Sequence, residues 1–120
     1  DHRLILTNAE RFSVQNLVPI LGRAPEAWEP LPAPDSVFVG GSGRDVSRLV
    51  ELAYGRLRQG GRLVTSVGSI ESLAEVYAVL SRRQANVNVW MVNIARGNYQ
   101  LERVRFEALN PTFLVSVVKP

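Results

Sequence analysis

Residues 35–43, with the sequence DSVFVGGSG, decide the fold because they carry a predicted strand, 36–39, directly into a glycine-rich loop. The segment 46–57 then places its apolar residues on one face of a helix. Gly60-Gly61 ends that helix, and another strand is predicted immediately afterwards over 62–66. Because a strand, a helix and a strand in this order form a parallel crossover, we expect an α/β fold.

The segment before this unit is predicted to hold a helix and a strand. Apolar residues keep helical spacing over 4–12. The short apolar run 17–21 is consistent with a buried strand, and Pro19 favours a place at the sheet edge because proline cannot donate to a ladder. One helical turn is expected over 23–28, followed by a proline-rich loop over 29–35.

The segment after the glycine-rich loop is predicted to complete the sheet. Asp45 is expected to cap the helix that follows it. A longer helix is predicted over 69–84, burying the face formed by Ile70, Leu73, Ala74, Tyr77 and Leu80. A period-two pattern over 87–94 indicates a strand buried on both faces, and a last strand is predicted over 112–118. We expect these two strands to pair as an antiparallel hairpin, because no helix is predicted in the polar and aromatic stretch between them.

The composition argues against several kinds of site. The chain of 120 residues has no cysteine, which excludes disulfides, thiolate metal sites and a cysteine nucleophile. His2 is the only histidine, so neither a Ser-His-Asp triad nor a histidine-rich metal site is expected. The net charge is +3, and the arginines are scattered rather than clustered. We therefore expect an acidic small molecule as ligand, and neither metal nor nucleic acid.

The hydropathy pattern bears on the location of the protein. No run of about 18 apolar residues is present, and the first residues lack the basic and then apolar profile of a signal peptide. We therefore expect a single, soluble, cytoplasmic domain that does not bind membranes.

Four segments, in the same order along the chain, resemble one enzyme family. Together they cover residues 4–119 and are similar to the precorrin-6Y methyltransferases that also decarboxylate an acetate side chain. The segments are Asn8-Ala9-Glu10-Arg11-Phe12 with Asn16-Leu17, Leu21-Gly22-Arg23-Ala24-Pro25-Glu26-Ala27, the quoted stretch 35–43, and Asn110-Pro111-Thr112-Phe113. The segment 57–64 also resembles the approach to the fifth strand of class I methyltransferases.

The resemblance implies a Rossmann-like class I methyltransferase sheet, parallel with an antiparallel C-terminal hairpin. On this reading the first strand and its glycine-rich cofactor loop are missing, so residues 1–120 form a single partial methyltransferase domain. We expect these residues alone to bind S-adenosylmethionine weakly or not at all, and to be inactive as an isolated chain. Loss of a central strand would also expose sheet edges and apolar helix faces, which predicts association into a homo-oligomer.

The resemblance also implies the residues of the site. S-adenosylmethionine is expected to contact the loop after the third strand, Gly22, Arg23, Ala24 and Pro25. A polycarboxylate tetrapyrrole is expected to contact the loop after the fourth strand, Gly40, Gly41, Ser42, Gly43 and Arg44. We assign no catalytic side chain, because methyl transfer from a sulfonium depends on positioning and the conjugated macrocycle itself accepts the electrons released by decarboxylation.

Two alternatives remain open at this point. The first is a non-enzymatic oligomerisation module with a truncated Rossmann-like fold, which the missing cofactor loop favours. The second is a methyltransferase with another substrate, such as RNA, because a fold does not determine a substrate. Methylation of base amino groups is typically associated with an Asn/Asp-Pro-Pro-aromatic motif after the fourth strand, and residues 40–43 occupy that place with Gly-Gly-Ser-Gly.

Overall fold

The computed structural model of the chain describes residues 1–40, 43–83 and 86–120. These residues form two compact units, 1–32 and 33–120. In chain order the helices and strands are α1 (His2–Arg11), a 3-10 turn (Glu26–Trp28), β1 (Ser36–Val39), a second 3-10 turn (Gly43–Asp45), α2 (Val46–Arg56), β2 (Arg62–Val67), α3 (Ile70–Ser81), β3 (Asn88–Val92), β4 (Ala95–Gln100), β5 (Arg103–Ala108) and β6 (Thr112–Val118).

The second unit contains a four-stranded sheet in the order β1-β2-β6-β3. β1 and β2 are parallel, with Ser36 opposite Arg62 and Val39 opposite Thr65. β6 pairs antiparallel with both β2 and β3. The predicted α/β fold, with a parallel crossover and antiparallel closing strands, is therefore confirmed.

The hydrophobic core lies where α2 and α3 pack on this sheet. Alternate residues of β2 are buried, as the pleat of a strand requires. The largest fully buried apolar side chains come from both helices and from the two central strands: Leu63, Leu80, Val50, Val76, Val115 and Val117. Thr65 is also fully buried, and its hydroxyl donates to the Val39 carbonyl at 2.8 Å, so this polar group is satisfied inside the core.

The glycine pair after α2 forms a tight turn that joins several elements. Gly60 has φ +74°, a left-handed conformation that favours glycine. The Gly60 N–H donates to the Lys119 carbonyl and the Lys119 N–H donates to the Gly61 carbonyl, both at 2.8 Å. A Cβ on Gly61 would lie 2.8 Å from the Arg58 carbonyl oxygen and 3.0 Å from that of Asp35. Glycine is therefore required at position 61 by close backbone packing.

The first unit confirms one predicted element and corrects another. The helix predicted over 4–12 is present as α1, but the strand predicted over 17–21 does not form. Pro19 has no N–H to donate, and none of the described strands pairs with this segment. The Pro19 carbonyl instead lies 3.3 Å from the His2 ring nitrogen Nε2.

One burial prediction for the second unit was wrong in part, and another was wrong. In α3, Leu80 is buried as predicted, together with Val76 and Val79, whereas Ile70 is 72% and Tyr77 is 49% exposed. The helix carries apolar residues on more than one side, and contact with the sheet and α2 decides which of them are covered. β3 was expected to be buried on both faces, but all of its residues are exposed, and it forms an edge of the sheet.

The segment between β3 and β6 also differs from the expectation. The stretch 99–109 was predicted only as polar and aromatic, but β4 and β5 form a separate two-stranded antiparallel sheet there. The expected antiparallel pairing of the strands that flank it is nevertheless confirmed. The connection between them is therefore a hairpin of its own, which we call the ribbon and define as Ala95–Gln100 with Arg103–Ala108.

We predict that Gly61→Ala lowers the free energy of unfolding by about 1–3 kcal/mol, since the added methyl group would meet backbone oxygens that cannot move aside. Gly55→Ala is the matched control, because nothing lies within 4 Å of the added Cβ. Alanine is the better helix former, so this change in α2 should stabilise the protein by up to about 1 kcal/mol. Urea unfolding monitored by circular dichroism measures both. Equal stability of the Gly61→Ala variant and the wild type would contradict the account.

Candidate active site

The carboxyl ends of the two parallel strands, β1 and β2, lie side by side at one end of the sheet, which we call the carboxyl edge. The chain leaves β1 at Gly40 and leaves β2 at Gly68. The antiparallel strand β6 begins at this same edge, because Phe113 pairs with Val67. In open α/β sheets ligands bind outside the carboxyl ends of the strands, so this edge is the expected place for a site.

A cavity of about 500 Å³ lies at this edge. Its lining comes from the loop after β1, the end of β2, the start of α3 and the start of β6: Gly43, Arg44, Val46, Ser66, Val67, Gly68, Ser69, Ser72 and Thr112. Nothing lies within 4 Å of a Cβ built on Gly43 or Gly68, and Gly43 has φ +61°. The two glycines therefore leave parts of the wall open to a ligand.

The start of α3 is shaped by a serine cap. Ser69 Oγ accepts a hydrogen bond from the Ser72 N–H at 3.1 Å. The same hydroxyl donates to Ser72 Oγ at 3.0 Å. Asp45 is at the corresponding position before α2, as predicted, but its side chain makes no capping hydrogen bond. The 3-10 turn over Gly43–Asp45 forms this approach to α2 instead.

The described lining combines one cation with four hydroxyl groups. Arg44 supplies the positive charge, and no carboxylate lines the described part of the cavity. Ser66, Ser69, Ser72 and Thr112 supply the hydroxyls. Neutral hydroxyls beside a guanidinium favour an anionic ligand that accepts several hydrogen bonds.

The structure brings together only part of the predicted substrate loop. Gly43 and Arg44 line the cavity, whereas Gly41 and Ser42 lie outside the described residues. Gly40 does not line the described cavity, and a Cβ there would lie 2.8 Å from Cε1 of the Phe38 ring. The hydroxyl residues were not identified from the sequence, although Ser69 at a helix start and Thr112 at a strand start are positions from which they could have been found.

The predicted cofactor residues lie in the first unit. Gly22, Arg23 and Ala24 are exposed, and the Ala27 N–H donates to the Arg23 carbonyl at 2.8 Å. A Cβ on Gly22 would lie 2.9 Å from the Ala27 Cβ, so glycine allows this loop to close tightly. Gly22 and Ala24 are exposed residues with little or no side chain, which fits contact with a flat base. No carboxylate lies within 22–25 to bind ribose hydroxyls.

A second groove, of about 340 Å³, runs between α2 and α3 and has a different character. It is lined by charges of both signs: Arg48, Glu51, Glu75 and Arg82, together with Ser47, Ala78 and Val79. Glu51 is already paired with Arg83 at 2.8 Å, and Ser47 donates to Glu75 at 3.3 Å. Both carboxylates of the groove thus already have partners, and charges of both signs line it, so it shows no preference for an anionic ligand.

Metal-binding clusters and membrane-spanning helices are both absent from the described residues. Within 1–40, 43–83 and 86–120, no group of three or more histidine, cysteine or acidic side chains is placed to hold a metal ion. No helix of the described ranges has the length and apolar character that a bilayer-spanning segment requires.

The fold is shared with solved methyltransferases. The chain superposes on the crystal structure of precorrin-6Y C5,15-methyltransferase from Geobacter metallireducens with a TM-score of 0.83 and 30% sequence identity, covering 96% of this chain and 61% of that chain. The parallel crossover, the antiparallel closing strands and the cavity at the carboxyl edge therefore define a Rossmann-like class I methyltransferase fold.

Sequence comparison identifies the family. The model of the precorrin methyltransferase domain matches residues 1–117, and the chain belongs to this family. The probable cobalt-precorrin-6B C(15)-methyltransferase (decarboxylating) of Pyrobaculum calidifontis is 32% identical over 119 residues, which are 97% of this chain and 60% of the relative. The cobalt-precorrin-6B C(15)-methyltransferase (decarboxylating) of Salmonella typhimurium is 31% identical over 124 residues, with 98% and 60% covered. The chain thus spans about three fifths of the length of these relatives.

Proposed function

We propose that the chain acts in the S-adenosylmethionine-dependent methylation of a precorrin tetrapyrrole, with decarboxylation of an acetate side chain, in cytoplasmic cobalamin biosynthesis. The observation that carries this proposal is the cavity at the carboxyl edge, with Arg44 as the one charged residue of its described lining. Membership of the precorrin methyltransferase family supports it. A precorrin carries several carboxylate arms, which an arginine and hydroxyl groups can bind.

The cofactor supplies a sulfonium-bound methyl group. Gly22, Arg23, Ala24 and Pro25 would contribute to holding it, because they correspond to the cofactor-contacting loop of the family and three of the four residues are exposed. They provide no carboxylate for the ribose. We therefore propose that residues 1–120 form a partial methyltransferase domain and bind S-adenosylmethionine weakly by themselves.

The residues of the cavity would act by binding and orienting the tetrapyrrole. Gly43 and Gly68 present no side chain, so a planar ring can approach the backbone closely. Arg44 would hold a carboxylate arm and fix the rotation of the ring. The described lining contains no group suited to act as a general base at neutral pH, so positioning is the main contribution of these residues. When the acetate arm loses carbon dioxide, the electrons of the broken C–C bond pass into the conjugated macrocycle, and uptake of one proton from solvent turns the remaining CH2 group into a methyl group.

The proposal predicts the fate of a labelled methyl group. An enzyme that carries residues 1–120 together with a complete cofactor site, given S-adenosylmethionine labelled in its methyl carbon and a precorrin with an intact acetate arm, should place the label on the tetrapyrrole and release carbon dioxide. Mass spectrometry of the product measures both events. Transfer RNA serves as the comparison substrate and should remain unlabelled. Label in the RNA and none in the tetrapyrrole would overturn the proposal in favour of the RNA-methylating alternative.

We also propose that the protein associates with a second copy of itself through the ribbon. Within the described chain the ribbon pairs with no other strand, and an isolated two-stranded hairpin is marginally stable in water. Its register places Gly97 opposite Phe106 and Tyr99 opposite Val104. Since side chains alternate between faces, one face contains only Ala95, Gly97, Tyr99, Val104, Phe106 and Ala108. We call this the apolar ribbon face.

The exposure and charge of the apolar ribbon face favour a second copy as its partner. Tyr99 is 74% and Phe106 is 75% exposed. The opposite face is polar, with Glu107 accepting from Asn98 at 3.2 Å and from Arg96 at 3.5 Å. Because the apolar face carries no charge, two copies can meet across a two-fold axis without opposing like charges. Two stacked ribbons would also give both hairpins a packed face.

This association is tested by adding one negative charge to either face of the ribbon. Phe106→Glu places the charge in the apolar ribbon face and should convert the oligomer to a monomer. Gln100→Glu adds the same charge on the polar face and should leave the oligomer intact. Size-exclusion chromatography with multi-angle light scattering gives the masses. A monomeric wild type, or a Phe106→Glu variant that keeps the wild-type mass, would contradict the proposal.

A further inference from the structure

We infer that Arg44, Ser72 and Thr112 form a subsite for one acetate arm of the tetrapyrrole, in the cavity at the carboxyl edge. The inference rests on the proposed function for the identity of the ligand, and it deepens that function by assigning residues beyond the glycine-rich loop. The three residues come from the 3-10 turn before α2, the first turn of α3 and the start of β6, and all line the cavity.

Three hydrogen-bond donors that line the cavity are available to a ligand. Ser72 Oγ accepts from Ser69 Oγ, which leaves the Ser72 hydroxyl hydrogen free to donate elsewhere. Across residues 1–40, 43–83 and 86–120, Thr112 and Arg44 have neither a side-chain hydrogen bond nor an ion pair. A guanidinium and two hydroxyls in the lining of one cavity are groups that the two acceptor oxygens of a carboxylate can bind.

The described lining of the cavity carries a net positive charge. Arg44 is positive, and the described lining contains no acidic residue. Asp45 and Glu71 are close in sequence, but neither lines the cavity. The first turn of α3, a helix of 12 residues, adds the partial positive charge of a helix N-terminus on the side of Ser72. The electrostatic balance of the cavity therefore favours an anion.

Ser69 and Ser72, both at the start of α3, have different roles. Ser69 is engaged as the cap of α3, so its hydroxyl stabilises the protein. Ser72 contributes its backbone N–H to that cap, and its side chain only receives a hydrogen bond. Replacing Ser72 by alanine thus removes a ligand contact while leaving the cap acceptor in place. This makes the subsite accessible to mutation without unfolding α3.

The test compares two porphyrins in binding to the protein. Uroporphyrin I carries acetate and propionate arms, and coproporphyrin I has methyl groups in place of the acetates. We expect uroporphyrin I to bind at least about ten-fold more tightly, since a hydrogen-bonded charge contributes this much. Ser72→Ala and Thr112→Val should each weaken uroporphyrin I binding about five- to ten-fold and leave coproporphyrin I binding unchanged.

Controls separate a ligand contact from a structural effect. Ser72→Thr keeps the hydroxyl and should restore the preference for uroporphyrin I. Ser47→Ala removes a hydroxyl from the groove between α2 and α3, and should change neither affinity. Urea unfolding midpoints of the Ser72→Ala and Thr112→Val variants should match the wild type. Calorimetric titration at fixed ionic strength gives the dissociation constants.

The binding measurements test the subsite, and a separate measurement of methyl transfer tests the proposed function. Equal affinities for the two porphyrins, no binding of either, or an unchanged preference in both Ser72→Ala and Thr112→Val would overturn the subsite. Methyl transfer by the wild type is measured separately. Transfer that occurs while the variants keep the preference would leave the enzymatic function intact and remove only the subsite.

Discussion

The close backbone packing around Gly61 is the constraint on which the rest of the second unit depends. The Gly61 N–H donates to the Arg58 carbonyl at 2.9 Å, and the Arg62 N–H donates to the Asp35 carbonyl at 3.0 Å. The same turn is tied to the end of β6, where Lys119 Nζ also donates to the Gly55 and Leu57 carbonyls at 3.0 and 2.8 Å. One turn thus joins the start of β1, the end of α2, the start of β2 and the end of β6. A side chain at position 61 would separate them.

This arrangement places the structural and the functional parts at opposite ends of the sheet. The amino ends of β1 and β2 are closed by backbone hydrogen bonds, which fixes their parallel register. The loops that follow their carboxyl ends do not take part in these hydrogen bonds, so they can carry ligand-binding residues. Arg44, Ser72 and Thr112 are distant in sequence, and this register brings their elements to one cavity. The proposed chemistry requires that a large ring be held in one orientation. Residues attached to the ends of hydrogen-bonded strands can hold it in this way.

The sequence predicted the elements whose pattern is local. The strand, helix and strand over 36–67 follow from periodicity and glycine placement, and Gly43 and Arg44, predicted as substrate contacts, line the cavity at the carboxyl edge. The strand predicted over 17–21 failed because an apolar run pairs only where a neighbouring strand exists. The face of α3 was mistaken because Ile70 and Val76 are equally apolar in sequence, and only the packing of the sheet selects Val76. The hydroxyl residues of the cavity lie together because β6 pairs beside β2. A local sequence pattern does not show which strands pair.

The central claim is that the ligand-binding surface is the carboxyl edge of the parallel strands. Backbone amide chemical shifts of the nitrogen-15-labelled protein, recorded during titration with uroporphyrin I, test it most directly. The account predicts that the largest shifts occur at Gly43, Arg44, Gly68, Ser72 and Thr112. Largest shifts in the groove between α2 and α3, at Arg48 and Glu75, would contradict it.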